Sequence, residues 1–204
     1  MAEVARPRGR PSTGVREAVL AATEAILAEV GVARLSTTEI AKRAGVAESS
    51  IFYHFRDRLG LLEAVVQKHL PMYKDVSADM YRRAGEGTVR GNLVDLLTSL
   101  EGFYERIAPI YAAVQADGDL RARFAERGGE GEIGPHRGLI PIVRYLERER
   151  ELGRVRADLD LESTALILVG VAYQRAVLGS LAGRGRVEGL PAVVDTLLPS
   201  LLPA

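Results

Sequence analysis

The sequence predicts an all-α fold, and three observations predict it. Apolar residues recur three and four apart along most of the chain, capping side chains (Ser36, Asp57, Asp160) stand just ahead of such runs, and Gly31 and Gly45 stand just behind them. A three-helix N-terminal unit is expected, followed by a larger helical region. In the first helix, over 15–30, Ala18, Val19, Ala22, Ile26 and Val30 recur at helical spacing and Gly31 stops the run. The second starts at about 37. Ser36 with Glu39 three residues on has the spacing of a capping box, in which the hydroxyl takes an orphan N–H and the carboxylate reaches back. Ile40, Ala41 and Ala44 form its apolar stripe, and Gly45 supplies the positive φ that ends a helix cheaply, so that Val46 can turn inward. The third helix begins near 47 or 48. Ile51 and Phe55, four apart, face the core and leave Glu48, Ser49, Ser50, Phe52, Tyr53 and His54 outward or at the leading end.

Two short helices joined by a Gly-containing turn, the second with a polar outward N-terminus, are what a helix-turn-helix needs to lay its second helix in a major groove. The same spacing suits an ordinary αα-hairpin, so the residues themselves must carry the argument. VARLSTTEIA at 32–41, AGV at 44–46, IFYHF at 51–55 and Leu61-Leu62 closely resemble the DNA-binding domain of the tetracycline-repressor (TetR) family, over roughly the first third of the chain. The chain departs from that family at three places: Ala47 stands for a small hydroxyl cap, Phe52 for a Tyr, and Arg58-Leu59 for Lys-Glu. The resemblance implies that Thr37, Thr38, Glu48, Ser49, Ser50, Tyr53 and His54 lie near bases or phosphates, and Arg58 on a phosphate. Glu48 can accept from a cytosine N4 amine, and the serines suit either base or phosphate. Arg58 keeps a phosphate contact possible, whereas Phe52 has no phenol to offer one.

With 47% apolar residues in 204, the chain can fill the core of one or two small domains, which excludes a disorder-dominated protein. It has no cysteine, so disulfides and thiolate sites are excluded, and a reducing compartment is compatible. No basic-then-apolar leader and no membrane-length apolar run are read, so the expectation is a cytoplasmic protein without a membrane partner. Net charge is zero, and nucleic-acid affinity must then come from local clustering. The cluster is at the N-terminus, where Arg6, Arg8 and Arg10 alternate with Pro7, Gly9 and Pro11. This looks like the core of an AT-hook: Arg side chains enter a narrow A·T minor groove while Gly lets the backbone approach and Pro keeps it extended. A solubilising basic tail is the alternative.

A fourth helix is expected from about 58 to 69, capped by Asp57, with Leu61, Leu62, Val65 and Val66 inward and Pro71 breaking or kinking it. Its start touches DNA and its end enters the second region, which makes it the mechanical link. Further helices are expected over 72–83, 88–106, 109–115, 119–127, 139–152, 161–181 and 188–202. Arg144, Glu147, Arg148, Glu149, Arg150 and Glu151 read as a solvated face. Gly129, Gly131 and Gly134 match G-x-G-x-x-G by letter, but no strand precedes them and Glu130 and Glu132 would repel phosphate. His54, His69 and His136 lack metal-binding spacing, and no nucleophilic triad can be argued, so no enzyme, metal or cofactor is expected.

The segment 165–173 is apolar on every side and needs burial on every side. Small residues Gly170, Ala172, Ala176 and Gly179 would admit a second helix, and Leu190, Val193, Val194, Leu197, Leu198 and Leu201 make another stripe in the last helix. Two such helices from each of two chains would form a four-helix homodimer interface, the alternative being one large intramolecular core. The organisation expected is a flexible basic arm (1–12), a helix-turn-helix DNA-binding domain (13–70, motif 36–55) and a helical ligand-binding and dimerisation domain (71–204). The function expected is a DNA-binding transcriptional regulator, a repressor released from a near-palindromic operator by a small, largely apolar ligand. Met72, Tyr73, Phe103, Tyr104, Ile107, Tyr111, Tyr145, Tyr173 and Gln174 are the candidate ligand lining, although aromatics at helical spacing also simply fill cores. The competing functions are a ligand-independent architectural DNA-binding dimer and an interaction module with a vestigial helix-turn-helix.

Overall fold

A computed structural model describes residues 12–31, 35–130, 139–182 and 189–203. The helices are α1 (Ser12–Val30), α2 (Thr37–Ala44), α3 (Glu48–Phe55), α4 (Arg58–Arg83), α5 (Val89–Ala116), α6 (Gly118–Glu130), α7 (Ile140–Glu151), α8 (Leu161–Ala182) and α9 (Leu190–Leu201).

The small unit forms as its capping and apolar pattern dictate. Ser36 Oγ accepts from Glu39 N at 3.2 Å, and Gly45 is left-handed, with Val46 N returning to Ala41 O at 3.0 Å. That turn aims α3 so that Ile51 and Phe55 sink into the core with Val19, Ile26, Ile40 and Leu62. Asp57 caps α4 through Gly60 N at 2.8 Å. Between α3 and α4, Arg56 has φ 67 and ψ −51, and Asp57 N donates to Phe55 O at 2.8 Å, so one residue reverses the chain in a γ-turn of the strained, positive-φ kind.

Two expected breaks are absent. α4 runs unbroken through Pro71, and α5 runs unbroken through Pro109, where separate helices over 88–106 and 109–115 were expected. An interior Pro costs a helix roughly 3 kcal/mol, and here tertiary packing outweighs it. Leu93, Leu97, Leu100, Ile107, Ile110 and Ala113 of α5 are all buried, on both sides of Pro109. α5 is the central helix, packed by α8, α4, α9 and α6. The boundary expected at 70/71 therefore falls inside one continuous helix shared by the two regions.

The charged run at the end of α7 is not uniformly solvated. Arg148 and Glu151 pair at 2.6 Å on the surface, but Glu149 is 0% exposed. It accepts from Gly85 N at 3.3 Å and pairs with Arg154 at 3.0 Å, tying the α4–α5 turn to α7. Tyr145 is buried in the same place. Its hydroxyl is held well above the ordinary phenol range, first by burial, with Asn92, Glu149 and Arg154 as charged and polar neighbours.

α8 meets the length and apolarity of a membrane span over Leu161–Leu181, which corrects the expectation that no run does. Its inward face is packed along α5, and Arg175 pairs with Glu101 of α5 at 3.0 Å with both side chains mostly buried.

Gly60 and Gly102 make opposite predictions. A Cβ at 60 would overlap the Phe55 carbonyl oxygen, whereas one at 102, inside α5, meets nothing within 4 Å. Gly60→Ala is expected to lose roughly 1–3 kcal/mol in urea unfolding, as overpacking does. Gly102→Ala should gain about 0.4–1 kcal/mol by narrowing the unfolded ensemble. Equal shifts of the two midpoints would contradict this reading of the α3–α4 junction.

Candidate nucleic-acid interface

The exposed side of α2 and α3 is assembled from the residues that the core does not take. Tyr53 is 84% exposed and Phe52 50%, large aromatics standing in solvent on the face opposite Ile51 and Phe55. Tyr53 and His54 meet edge to face, with ring centroids 5.1 Å apart. Ser49 is exposed, and Ser50 and His54 are half-buried.

The first turns of α2 and α3 meet. Thr37 Oγ1 donates to Glu48 Oε1 in a short hydrogen bond, and Thr38 Oγ1 donates to the same oxygen at 3.2 Å. Expected residues Thr37, Thr38, Glu48, Ser49, Ser50, Tyr53 and His54 thus share one surface. Ala47 leaves α3 without a side-chain cap.

Arg58 lies apart from that surface. Its guanidinium reaches Asp117, at the start of α6, at 3.4 Å, and its Nε is buried without a hydrogen-bond partner. Asp57 pairs with Arg123 of α6 beside it. The phosphate contact expected of Arg58 requires the Asp117 pair to open. Arg43 is likewise engaged, by Glu29 of α1 at 2.5 Å. Lys42 and Arg56 are exposed cations that no carboxylate among the described residues holds; neither stood out in the sequence, because helical spacing says nothing about which cations stay unpaired. Arg6, Arg8 and Arg10 lie outside the described residues.

The expected ligand-lining residues divide. Phe103, Tyr104 and Ile107 of α5 are buried, and Tyr173 of α8 meets Tyr104 edge to face at 5.5 Å. Tyr111 meets Phe124 of α6 at 6.5 Å, and its phenol is pushed up by burial and then by Tyr173. Phe124 was missed, because α6 reads as a polar helix. Two expected residues do not join this cluster. Tyr145 belongs to the Asn92–Glu149 network near the start of α5, and Gln174 is exposed on the far side of α8. Helical spacing placed both on a helix without fixing which neighbour that face meets. Met72 and Tyr73 lie on α4, with side chains outside the described residues. Of the glycines in the G-x-G-x-x-G match, Gly129 is in α6, and Gly131 and Gly134 lie outside the described residues.

A cleft of about 260 Å³ opens elsewhere, between the far end of α4 and α5. Arg83 crosses it, held by Asp79 and Asp95 at 2.7 Å each, so its lining is ionic rather than aromatic.

The sequence pattern of "Bacterial regulatory proteins, tetR family" matches residues 19–65, which span α1 to the first turns of α4. The HTH-type transcriptional regulator BetI of Cronobacter sakazakii is 27% identical over 166 residues, 80% of either chain. The HTH-type transcriptional repressor BepR of Brucella suis is 41% identical over 51 residues, which is 25% of this chain and 24% of BepR. The fold is shared with solved structures. A protein from Mesorhizobium loti assigned to the TetR family superposes with a TM-score of 0.72 at 18% identity, covering 96% of this chain and all of that one. GusR of Salmonella enterica gives 0.70 at 21%, covering 97% and 99%. Residues 19–65 thus carry the TetR-family pattern, and over four fifths of its length the chain is similar to an HTH-type transcriptional regulator.

Proposed function

We propose that this regulator is a homodimeric repressor that leaves its operator when a small, largely apolar ligand repositions α6. The observation that carries the reading is the double link between α4 and α6: Asp57 to Arg123 and Arg58 to Asp117, at the end of α4 that adjoins the recognition helix. α6 also carries Phe124 into the aromatic cluster with Tyr111. A ligand among Phe103, Tyr104, Tyr111, Phe124 and Tyr173 would press on the helix that holds the start of α4. Relatives support both halves of this reading. BepR is a repressor, SmeT is the repressor of the Stenotrophomonas maltophilia multidrug efflux pump SmeDEF and has a triclosan complex, and a Saccharomonospora viridis regulator is solved with choline. The differential affinity needed to move the population from mostly bound to mostly released is roughly 5.5 kcal/mol.

Dimerisation rests on α8. Leu166 is 60% exposed and Leu181 79%, and Ile167, Gly170, Gln174 and Leu178 share the same outward side. Ala172 and Ala176 are buried against the protein's own core instead, so among the small residues Gly170 is the exposed point of approach for a partner helix. α9 contributes less than its sequence suggests, since Leu190, Val194 and Leu201 face inward and Arg90 pins Asp195 at 2.5 Å. With a two-fold axis through α8, the operator is a near-palindrome with half-sites roughly one helical turn apart. The surroundings in which these groups sit are cytoplasmic in this reading, and the basic arm lies in the flanking minor groove.

Gly170→Leu has open space within the protomer, with nothing within 4 Å of the added Cβ. It should fold normally yet sediment as a monomer at micromolar concentration and bind a full operator weakly; an unchanged dimer removes α8 as the interface.

Asp117→Asn preserves the α6 cap, in which Oδ1 accepts from Asp119 N and Leu120 N at 3.1 Å each, and removes the charge facing Arg58. Operator affinity should rise, by up to about fivefold for a half-exposed pair worth about 1 kcal/mol. Reduced affinity would mean that Arg58 does not compete between Asp117 and DNA.

For the arm, Arg8→Ala/Arg10→Ala should lower affinity and also shrink the preference for A·T over G·C flanks at one fixed salt concentration. Loss of affinity with the preference intact leaves the arm as nonspecific charge.

A further inference from the structure

We infer that Glu48, locked by Thr37 and Thr38, is the base-selecting residue of this regulator, and that it selects cytosine at one position of each half-site. The inference rests on α2 and α3 facing operator DNA. It changes what the two threonines do: their hydroxyl protons go to Glu48 Oε1, so neither is left to donate to a phosphate.

The geometry is specific. Thr37 and Thr38 occupy the first turn of α2, Glu48 the first residue of α3, and the two hydroxyls converge on one carboxylate oxygen across the helix-turn-helix. Glu48 is half-buried, and among the described residues no hydrogen bond takes its Oε2. A long, flexible side chain is thereby reduced to one rotamer with one oxygen used and one presented at the leading end of the recognition helix. Ordering it before DNA arrives removes an entropy cost that a free glutamate would meet on binding.

A fixed carboxylate in a major groove can only accept. Thymine presents O4 and guanine O6 and N7, all acceptors, so each would face Glu48 lone pair against lone pair. Adenine offers its N6 amine but sets the N7 acceptor beside it. Cytosine presents the N4 amine with no neighbouring acceptor on the same base, and is the one base whose major-groove edge a carboxylate meets without repulsion. Glu48 also bears a negative charge toward a polyanion, a cost that only a matched donor offsets. That makes it an element of exclusion as much as of attraction. Thr37 and Thr38 are positioning residues, acting through Glu48.

The test is selection of operators from a randomised duplex library by the full-length protein. The wild type, Glu48→Gln and Thr37→Val/Thr38→Val are compared, each with its thermal unfolding midpoint. The wild type should enrich cytosine at one position per half-site, by about tenfold over the other bases. In Glu48→Gln the same hydroxyls hold the amide oxygen and the presented atom changes from an acceptor to an NH2 donor, so that position alone should change from C to a base that shows acceptors in the major groove, G or T. The double valine variant should keep the same consensus while its cytosine preference flattens, every other position being unchanged. Glu48→Gln operators identical to the wild-type ones at every position overturn the inference, leaving Glu48 as a tie between α2 and α3; a flattened preference at all positions in the valine variant overturns the positioning role. Failure of the wild type to enrich any sequence would remove the operator reading itself, a result distinct from either.

Discussion

The fold depends on what happens at Asp57. One oxygen caps α4 through Gly60 N, while the other pairs with Arg123 on α6. The cap is possible only because Arg56 accepts a positive φ and Gly60 brings no Cβ against the Phe55 carbonyl. Four consecutive constraints therefore fix the angle between the recognition helix and α4. Without the γ-turn α3 would point elsewhere, and without this ion pair only Arg58–Asp117 would tie the start of α4 to α6 by charge among the described residues. A two-residue connection closed by a γ-turn transmits displacement because it has no slack to absorb it.

The same logic explains why α4 and α5 ignore their prolines. A lever must be rigid, and α4 at 26 residues is about 39 Å long. It is held near its start by α1, α3 and α6 and farther along by α5 and α7. The far end is clipped by buried groups: Glu149 holds Gly85, and Asn92 donates to Arg83 O and Glu86 O at 3.3 and 3.1 Å. The motion of α6 proposed above would act on so anchored a helix at the end that carries Asp57 and Arg58.

What was legible in the sequence follows from the range of the forces involved. Caps at Ser36, Asp57 and Asp160 and the left-handed Gly45 act within one helical turn; the three side-chain caps form, the capping box at Ser36 by its hydroxyl half, and Ser163 N, for example, reaches Asp160 Oδ1 at 2.9 Å. Helix continuity through Pro71 and Pro109 was not legible, because it is decided by burial against helices distant in the chain. The polar surface of α3 could be listed from periodicity and resemblance. Its internal wiring could not: Thr37 and Glu48 are eleven residues apart, and only the turn geometry makes them neighbours. Glu149 was misread for the same reason, since a charge in a run of charges looks solvated until Gly85 and Arg154 are placed around it. Tyr145 and Gln174 show the limit for ligand lining, where a helix is predictable but the neighbour of each face is not.

A neutral chain that binds a polyanion has to solve a distribution problem, and the ion pairs of the N-terminal unit show how. Arg43 is held by Glu29, Lys68 by Glu24 at 2.7 Å, and Arg58 by Asp117, so much of the basic charge near α2–α4 is already neutralised within the protein. Each pair removes one cation from the counterion-release term that drives sequence-independent binding. Lys42 and Arg56 are exposed and held by no carboxylate among the described residues, while Glu48 adds a negative charge at the start of α3. On the proposed reading such a surface gains little from generic duplex, and discrimination would rest on the aromatics, serines and carboxylate of α3. On the proposed mechanism it would also ease release: with few short-ranged contacts to lose, a modest displacement of Arg58 by α6 would be a large fraction of the total.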